Sequence, residues 1–304
     1  MATLLLSIFL ADILPIFLVA SAGFILARRL HVDVRTLSKT TFNALSPCLV
    51  FNLLVTSRLG AADFGRMAVF AAGVIAFIGV IAWLAARPLR LEPPTLVAFL
   101  LVVMFSNSGN YGLSAVMFAF GREALAHATV YFVMNAALMF TAGVFLASAG
   151  RRSVGQALSG VLRVPPVYAV ALAGLILATG VEVPAPLMRA VGLLSDAAIP
   201  VMLLVLGMQL EQGKAPERPA LVGLAAVLAL VVSPLVALGL ADLVGLTGAA
   251  RQAGILQASM PAAVVTTILA IEYDVAPWLV TGVVFVTTLL SPFTVTIVIA
   301  LLKP

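Results

Sequence analysis

Apolar runs of about twenty residues, separated by short polar breaks, recur from one end of this chain to the other, and no other feature restricts its fold as much. As a helix, a run of that length spans the ~30 Å hydrocarbon layer of a bilayer. Composition agrees, since 63% of the 304 residues are hydrophobic and 10% charged, where soluble domains are nearer half and a quarter. No soluble core of this size could hide so much apolar side chain. The first run, Leu4 to Leu26, has no basic residue before it and no small-residue cleavage site, so it reads as a retained helix and not as a secretory signal. A single cysteine, Cys48, excludes a disulfide framework or a multi-cysteine metal site.

Hydropathy and loop signals predict ten spans. Five are Leu4 to Leu26, Thr40 to Leu54, Met67 to Ala86, Thr95 to Phe120 and Ala126 to Leu146. The other five are Val164 to Ala178, Leu187 to Gln209, Ala220 to Val244, Ala250 to Ala270 and Trp278 to Leu302. Eleven of the 17 Lys and Arg fall in the odd-numbered loops: Arg28, Arg29, Arg35, Lys39, Arg87, Arg90, Arg151, Arg152, Arg163, Lys214 and Arg218. The other six are Arg58, Arg66, Arg122, Arg189, Arg251 and Lys303. The positive-inside rule then places the odd loops in the cytoplasm and both termini outside. Because these cations are scattered over many loops and form no single patch, nucleic acid is not the expected partner.

The chain also resembles itself. An offset of 151 residues lays Pro15, Gly23, Ile25, Leu26 and Ala27 on Pro166, Gly174, Ile176, Leu177 and Ala178. An offset of 153 lays Asn43 and Pro47 on Asp196 and Pro200. These matches divide the chain into repeats 1–163 and 164–304 of one transport unit. With five spans each, an odd number, the second repeat enters the membrane from the opposite face. The predicted class is an all-α integral membrane protein built as two inverted five-helix repeats. Such repeats mark secondary carriers, in which interrupted helices build a site near the midplane and one unit rocks against the other.

Two spans carry the interruptions. Span four holds Ser106-Asn107-Ser108-Gly109-Asn110-Tyr111-Gly112 in the middle of its apolar run, and span nine holds Gln257-Ala258-Ser259-Met260-Pro261. Gly109 and Gly112 would loosen the backbone, and Asn and Ser side chains would satisfy the peptide groups set free. Pro261 suits the first position of a new half-helix. Pro47 and Pro200 mark matching break positions in spans two and seven. The half-helix N-termini then offer unpaired N–H groups and positive dipole ends near the midplane. No Lys or Arg lies deep in a span, so an anion would be held by these ends and by Asn107, Asn110 and Gln257, with Asn43 as the further polar candidate. The competing reading is that these amides only join helices through hydrogen bonds.

The stretch from Asn107 to Leu113, running on to Phe120-Gly121, resembles the fourth span of the auxin efflux carrier family. Ala258-Ser259-Met260-Pro261-Ala262 is similar to its ninth span. The pattern Ser195-Asp196-Ala197-Ala198-Ile199-Pro200 and the ten-span length without a large central loop resemble its bacterial members. The resemblance implies the fold of bile acid/sodium symporters and sodium/proton antiporters, with spans four and nine crossing and a panel moving against a crossover domain. It also implies carboxylate substrates, among them indole acetic acid, malate and malonate, and a homodimer. One departure is that Ser114 stands where relatives usually carry proline.

Asp196, near the centre of span seven, is an ionisable group at costly depth. It could carry a coupling proton or accept hydrogen bonds from a broken backbone. Neither break contains a carboxylate, so sodium coupling is the weaker expectation, and no cofactor or metal is expected. The chain therefore reads as a carrier of a small organic anion in a bacterial inner membrane, in contact with lipid. The alternative of the same fold is a cation/proton antiporter or a sodium-coupled symporter. An enzyme is disfavoured because Asp196 has no acidic partner at depth, and His31 and His127 lie toward the membrane edges.

Overall fold

The computed structural model describes residues 2–30, 32–57, 59–148, 159–213 and 217–303. His31, with Arg58, Arg151, Arg152 and Lys214 of the charge count, lies outside the described residues. Among the described residues, six helices are long and apolar enough to cross a membrane by length and composition. They are Thr3–Leu30 (α1), Ala61–Leu89 (α3), Ser108–Ala147, Ala185–Glu211 (α8), Pro219–Val244 (α9) and Pro277–Leu302 (α12). The protein is therefore a multi-pass membrane protein.

Ser108–Ala147 is 40 residues long and bends at Gly121, whose φ of 77° only glycine adopts readily. The bend divides it into arms 108–120 (α5) and 122–147 (α6). The remaining helices are 34–56 (α2), Pro93–Met104 (α4), Pro165–Thr179 (α7), Gly248–Ala258 (α10) and Val265–Glu272 (α11).

Local chemistry sets many of the ends. Helices α4, α7, α8, α9 and α12 each carry proline in the first turn, where a missing N–H costs nothing and φ is already helical. Gly180 and Gly245 close α7 and α9 in the left-handed region. Asp33 caps α2, and the hydroxyl of Thr36 together with backbone N–H groups holds its carboxyl below the ordinary value.

Three further prolines explain a recurring distortion. Pro15, Pro47 and Pro234 each follow by two residues a wide π turn, at Phe9–Ile13, Thr41–Leu45 and Leu228–Val232. A proline ring collides with the carbonyl four residues earlier, which here belongs to Ala11, Asn43 or Leu230 inside the turn. Widening the turn removes the collision without ending the helix. Pro47 therefore sits in a helix that swells instead of breaking. Pro200 differs again from the expected break, because α8 runs through it unbroken, and only the hydrogen bond to the carbonyl of Asp196 is lost.

Packing divides the helices into two groups. One contains α1, α2, α7 and α8. There α1 and α8 approach to backbone contact, and a Cβ on Gly23 or Gly207 would overlap the carbonyl of Leu204 or Ala20. Lipid is as apolar as leucine, so close van der Waals packing through small residues and buried hydrogen bonds supplies the adhesion. The bond from Asn52 Nδ2 to Ser195 Oγ, 3.1 Å and buried, ties α2 to α8. The second group contains α3 to α6 and α9 to α12 and surrounds the interruptions. At the seam, α8 lies against the turn Ser108–Leu113, and buried Asp12 of α1 pairs with Lys303 just beyond α12.

Candidate functional site

The two interrupted spans meet at their gaps. Helix α4 stops at Met104, and Phe105 is extended, with φ −108° and ψ 107°. Helix α10 stops at Ala258, two residues before the proline-restricted Met260. The short peptides between the half-helices run antiparallel and form an isolated bridge between Ser106 and Ala262. Asn107 N–H donates to the Pro261 carbonyl at 2.7 Å, and Ala263 N–H donates to the Phe105 carbonyl at 2.9 Å. Pro261 therefore lies in the crossing peptide, four residues before α11 begins, and not at the first position of the new helix.

Gly109 and Gly112 likewise follow the gap, inside the π turn Ser108–Leu113 that opens α5. What they supply is space. A Cβ on Gly112 would overlap Gln257 Oε1, and one on Gly109 would press on the Phe132 ring. Ser114 returns its hydroxyl to the Asn110 carbonyl at 3.2 Å, so the interruption forms without a proline there.

Side chains hold the first gap firmly. Asn135 of α6 donates to the Ser106 carbonyl at 3.1 Å and to Ser108 Oγ at 2.9 Å. Ser106 Oγ donates to the Gln257 carbonyl at 3.1 Å. The second gap is held by Ala262 N–H donating to Thr287 Oγ1 at 3.2 Å and by Ser233 Oγ donating to the Ala258 carbonyl at 2.8 Å. Gln257, with no exposed surface, donates through Nε2 to the Ala128 carbonyl at 3.3 Å.

Several polar groups nevertheless remain unpaired. Asn107 Nδ2, Asn135 Oδ1 and Gln257 Oε1 are buried without a hydrogen-bond partner, each a cost of about 1–3 kcal/mol. The N–H groups of Gly109 and Asn110 precede the first bond of their turn and have no backbone partner among the described residues. Unpaired donors at a helix N-terminus attract negative charge.

A cavity of about 400 Å³ reaches toward this point between the C-terminal end of α8, α11 and the first half of α12. Its walls include Gln209, Gln212, Thr267, Thr281 and Thr288 opposite apolar residues such as Phe285. Gln209 joins cavity to gap: its Oε1 accepts from Asn110 Nδ2 at 3.4 Å, and its Nε2 donates to Ser38 Oγ at 3.5 Å.

Asn107, Asn110 and Gln257 are thus brought together around the gaps. Asn43 is not, being exposed on α2 with its amide bonded to the Lys39 carbonyl of its own helix at 2.8 Å. Asp196 is exposed on α8, next to the Ser195 that bonds Asn52. Gln209, Asn135 and Thr287 escaped the sequence reading. Gln209 looked like a span end, and Asn135 and Thr287 are isolated polar residues in apolar helices.

Comparison with known proteins identifies the family. The family model described as membrane transport protein matches the chain twice, over residues 8–160 and 149–299. The chain belongs to that family. It is the family of the auxin efflux carriers, so the motifs around Asn107 and Ser259 pointed to the right relatives. Among individual proteins, the chain is similar to an uncharacterized transporter of Methanothermobacter thermautotrophicus, 29% identical over 265 residues, which are 85% of this chain and 86% of that protein. An uncharacterized transporter of Methanocaldococcus jannaschii is 26% identical over 221 residues, 71% of each chain. Membership makes this protein a membrane transporter, and it assigns no catalytic step to the chain.

Proposed function

We propose that this member of the membrane transport protein family is a carrier that moves a small organic anion, a mono- or dicarboxylate, by alternating access. The substrate sits where spans four and nine cross. The observation that carries the reading is the set of unpaired groups at the gap, Asn107 Nδ2 and the N–H groups of Gly109 and Asn110, beside a cavity whose wall residue Gln209 holds Asn110. Donors with no fixed cation bind a carboxylate weakly enough to release it.

In this reading the chain has ten spans in two inverted repeats, 1–163 and 164–304, α4 with α5 forming span four and α10 with α11 span nine. The double family match supports the repeat. So does the packing, since the first two spans of each half form one group and the last three the other. The first group is the panel and the second the moving crossover unit. The cavity opens beside the loops before α9 and before α12, both assigned to the cytoplasm, so this is an inward-facing state in the plasma membrane. An inside-negative potential drives an anion outward by about 2.3 kcal/mol per charge per 100 mV, so export requires no coupling ion. If a proton is coupled, Asp196 is its carrier.

The test is counterflow in liposomes with labelled malonate, malate and an aromatic acetate. Saturable exchange is expected. Silence across the panel, with pH-dependent cation flux instead, would replace this reading with cation/proton antiport.

A further inference from the structure

We infer that Arg218, over the Trp278 ring at the cavity mouth, recruits the anion and makes the entrance selective for negative charge. The inference rests on the reading of the cavity as the substrate route. In the charge count Arg218 serves only to orient the protein, but its surroundings give it a second role. Among the described residues that line the cavity, Glu217 is the one with an acidic or basic side chain, and its charge repels a carboxylate approaching from the cytoplasmic side. Arg218 is the adjacent residue, and its guanidinium lies 5.1 Å from the centre of the Trp278 ring, itself part of the wall.

Both partners are anchored by backbone. The Arg218 carbonyl accepts from Val222 N–H at 3.1 Å at the start of α9, and Trp278 lies in the first turn of α12. The guanidinium makes no hydrogen bond or ion pair among the described residues. The Trp278 ring lies on one side of the guanidinium, and the forked N–H donors of the group are a match for a carboxylate.

The plain alternative is that an Arg–Trp stack only anchors a helix at the membrane interface, as aromatic belts do. The molecule contains its own control. Arg87 stacks over Trp83 at 4.0 Å, but Trp83 is exposed on the outside of α3 and neither residue lines the cavity. Interface anchoring accounts for both pairs. Of these two pairs, that of Arg218 alone also borders the route and stands beside Glu217.

The test measures initial rates of labelled malonate exchange by the full chain in liposomes, against substrate concentration and ionic strength. Arg218→Gln is expected to raise KM about tenfold and flatten the salt dependence, with kcat within about twofold, the usual scale for electrostatic steering into a cleft. Arg218→Lys, which keeps the charge without the planar fork, should fall between. Glu217→Gln probes the same field without touching the stack and should lower KM, and Arg87→Gln should leave both constants unchanged. Wild-type KM and salt dependence in Arg218→Gln, or a KM for Arg87→Gln shifted as far, would overturn the inference. If the wild-type protein exchanges no carboxylate, the transport reading falls first and takes this inference with it.

Discussion

The gap in span four and the gap in span nine do the same geometric work with different chemistry. Residues 105–107 and 261–263 donate one backbone hydrogen bond each to the other, so the crossing itself is nearly symmetric. Around the first gap lie Ser106, Asn107, Ser108, Asn110 and the supporting Asn135. Around the second, the polar side chains are Gln257, Ser259 and the Thr287 and Ser233 of neighbouring helices. N–H groups without a partner among the described residues open both second half-helices, Gly109 and Asn110 on the first side and Val264 and Val265 on the second, and the free Asn107 amide lies on the first side only. In the proposed reading the two gaps have diverged: the span-four gap, with its free amide, presents donors to a ligand, while the span-nine gap braces it.

The largest expected effect comes from separating the two gaps. Gly112→Val places side-chain atoms where Gln257 lies, and overpacking of this kind costs about 1–3 kcal/mol or more. Exchange should disappear, and the double variant with Gln257→Ala should recover part of it. If Gly112→Val alone transports normally, the two gaps do not depend on close contact.

Next come the donors of the first gap. Asn107→Ala and Asn110→Ala should each raise KM about tenfold to a hundredfold, the range for hydrogen bonds to a charged group of ~1.5–3 kcal/mol, with folded protein retained by size-exclusion chromatography. Wild-type affinity in both would return these amides to the role of helix adhesive. Asn135→Ala should slow exchange more than it changes KM, because it removes two bonds that position the gap without touching the ligand.

Thr287→Val is the matching change at the bracing gap. It leaves Ala262 N–H unpaired, and thermal unfolding should fall by a few degrees with KM unaltered. A KM shift as large as that of Asn107→Ala would erase the distinction between the gaps. The smallest effect is expected at Asp196→Asn, which should alter only the pH dependence of exchange and leave its rate at neutral pH nearly unchanged.

The positions of both gaps were legible in the sequence because polar residues and glycines in the middle of an apolar run have no other stable place in a bilayer. So was the family, from short motifs at those same gaps. The prolines misled. Pro47 and Pro200 have the same local signature as Pro261, but whether a helix swells, continues or parts depends on whether a second chain segment waits to pair with the freed backbone. Only Pro261 has one, in Asn107. Asn43 was singled out from its match to Asp196, a relation along the chain that carries no information on which helix face meets the cavity. Gln209 was hidden for the opposite reason, since an amide at the end of an apolar run looks like a boundary until α11 and α12 are placed beside it.

The crossing peptides also constrain how the protein is made. Ser106 and the Gln257 carbonyl that it binds are 151 residues apart, and at ribosomal speeds of about 5–20 residues per second the first waits roughly 8–30 s for the second to be synthesised. During that interval the nascent chain has an interrupted helix in or beside the bilayer with several peptide groups unanswered, and α4 has only 12 residues. Asn135, made within seconds of Ser106, can satisfy part of that debt early. The final seal awaits the penultimate span, so truncated products ending before it should be the ones that quality-control proteases recognise.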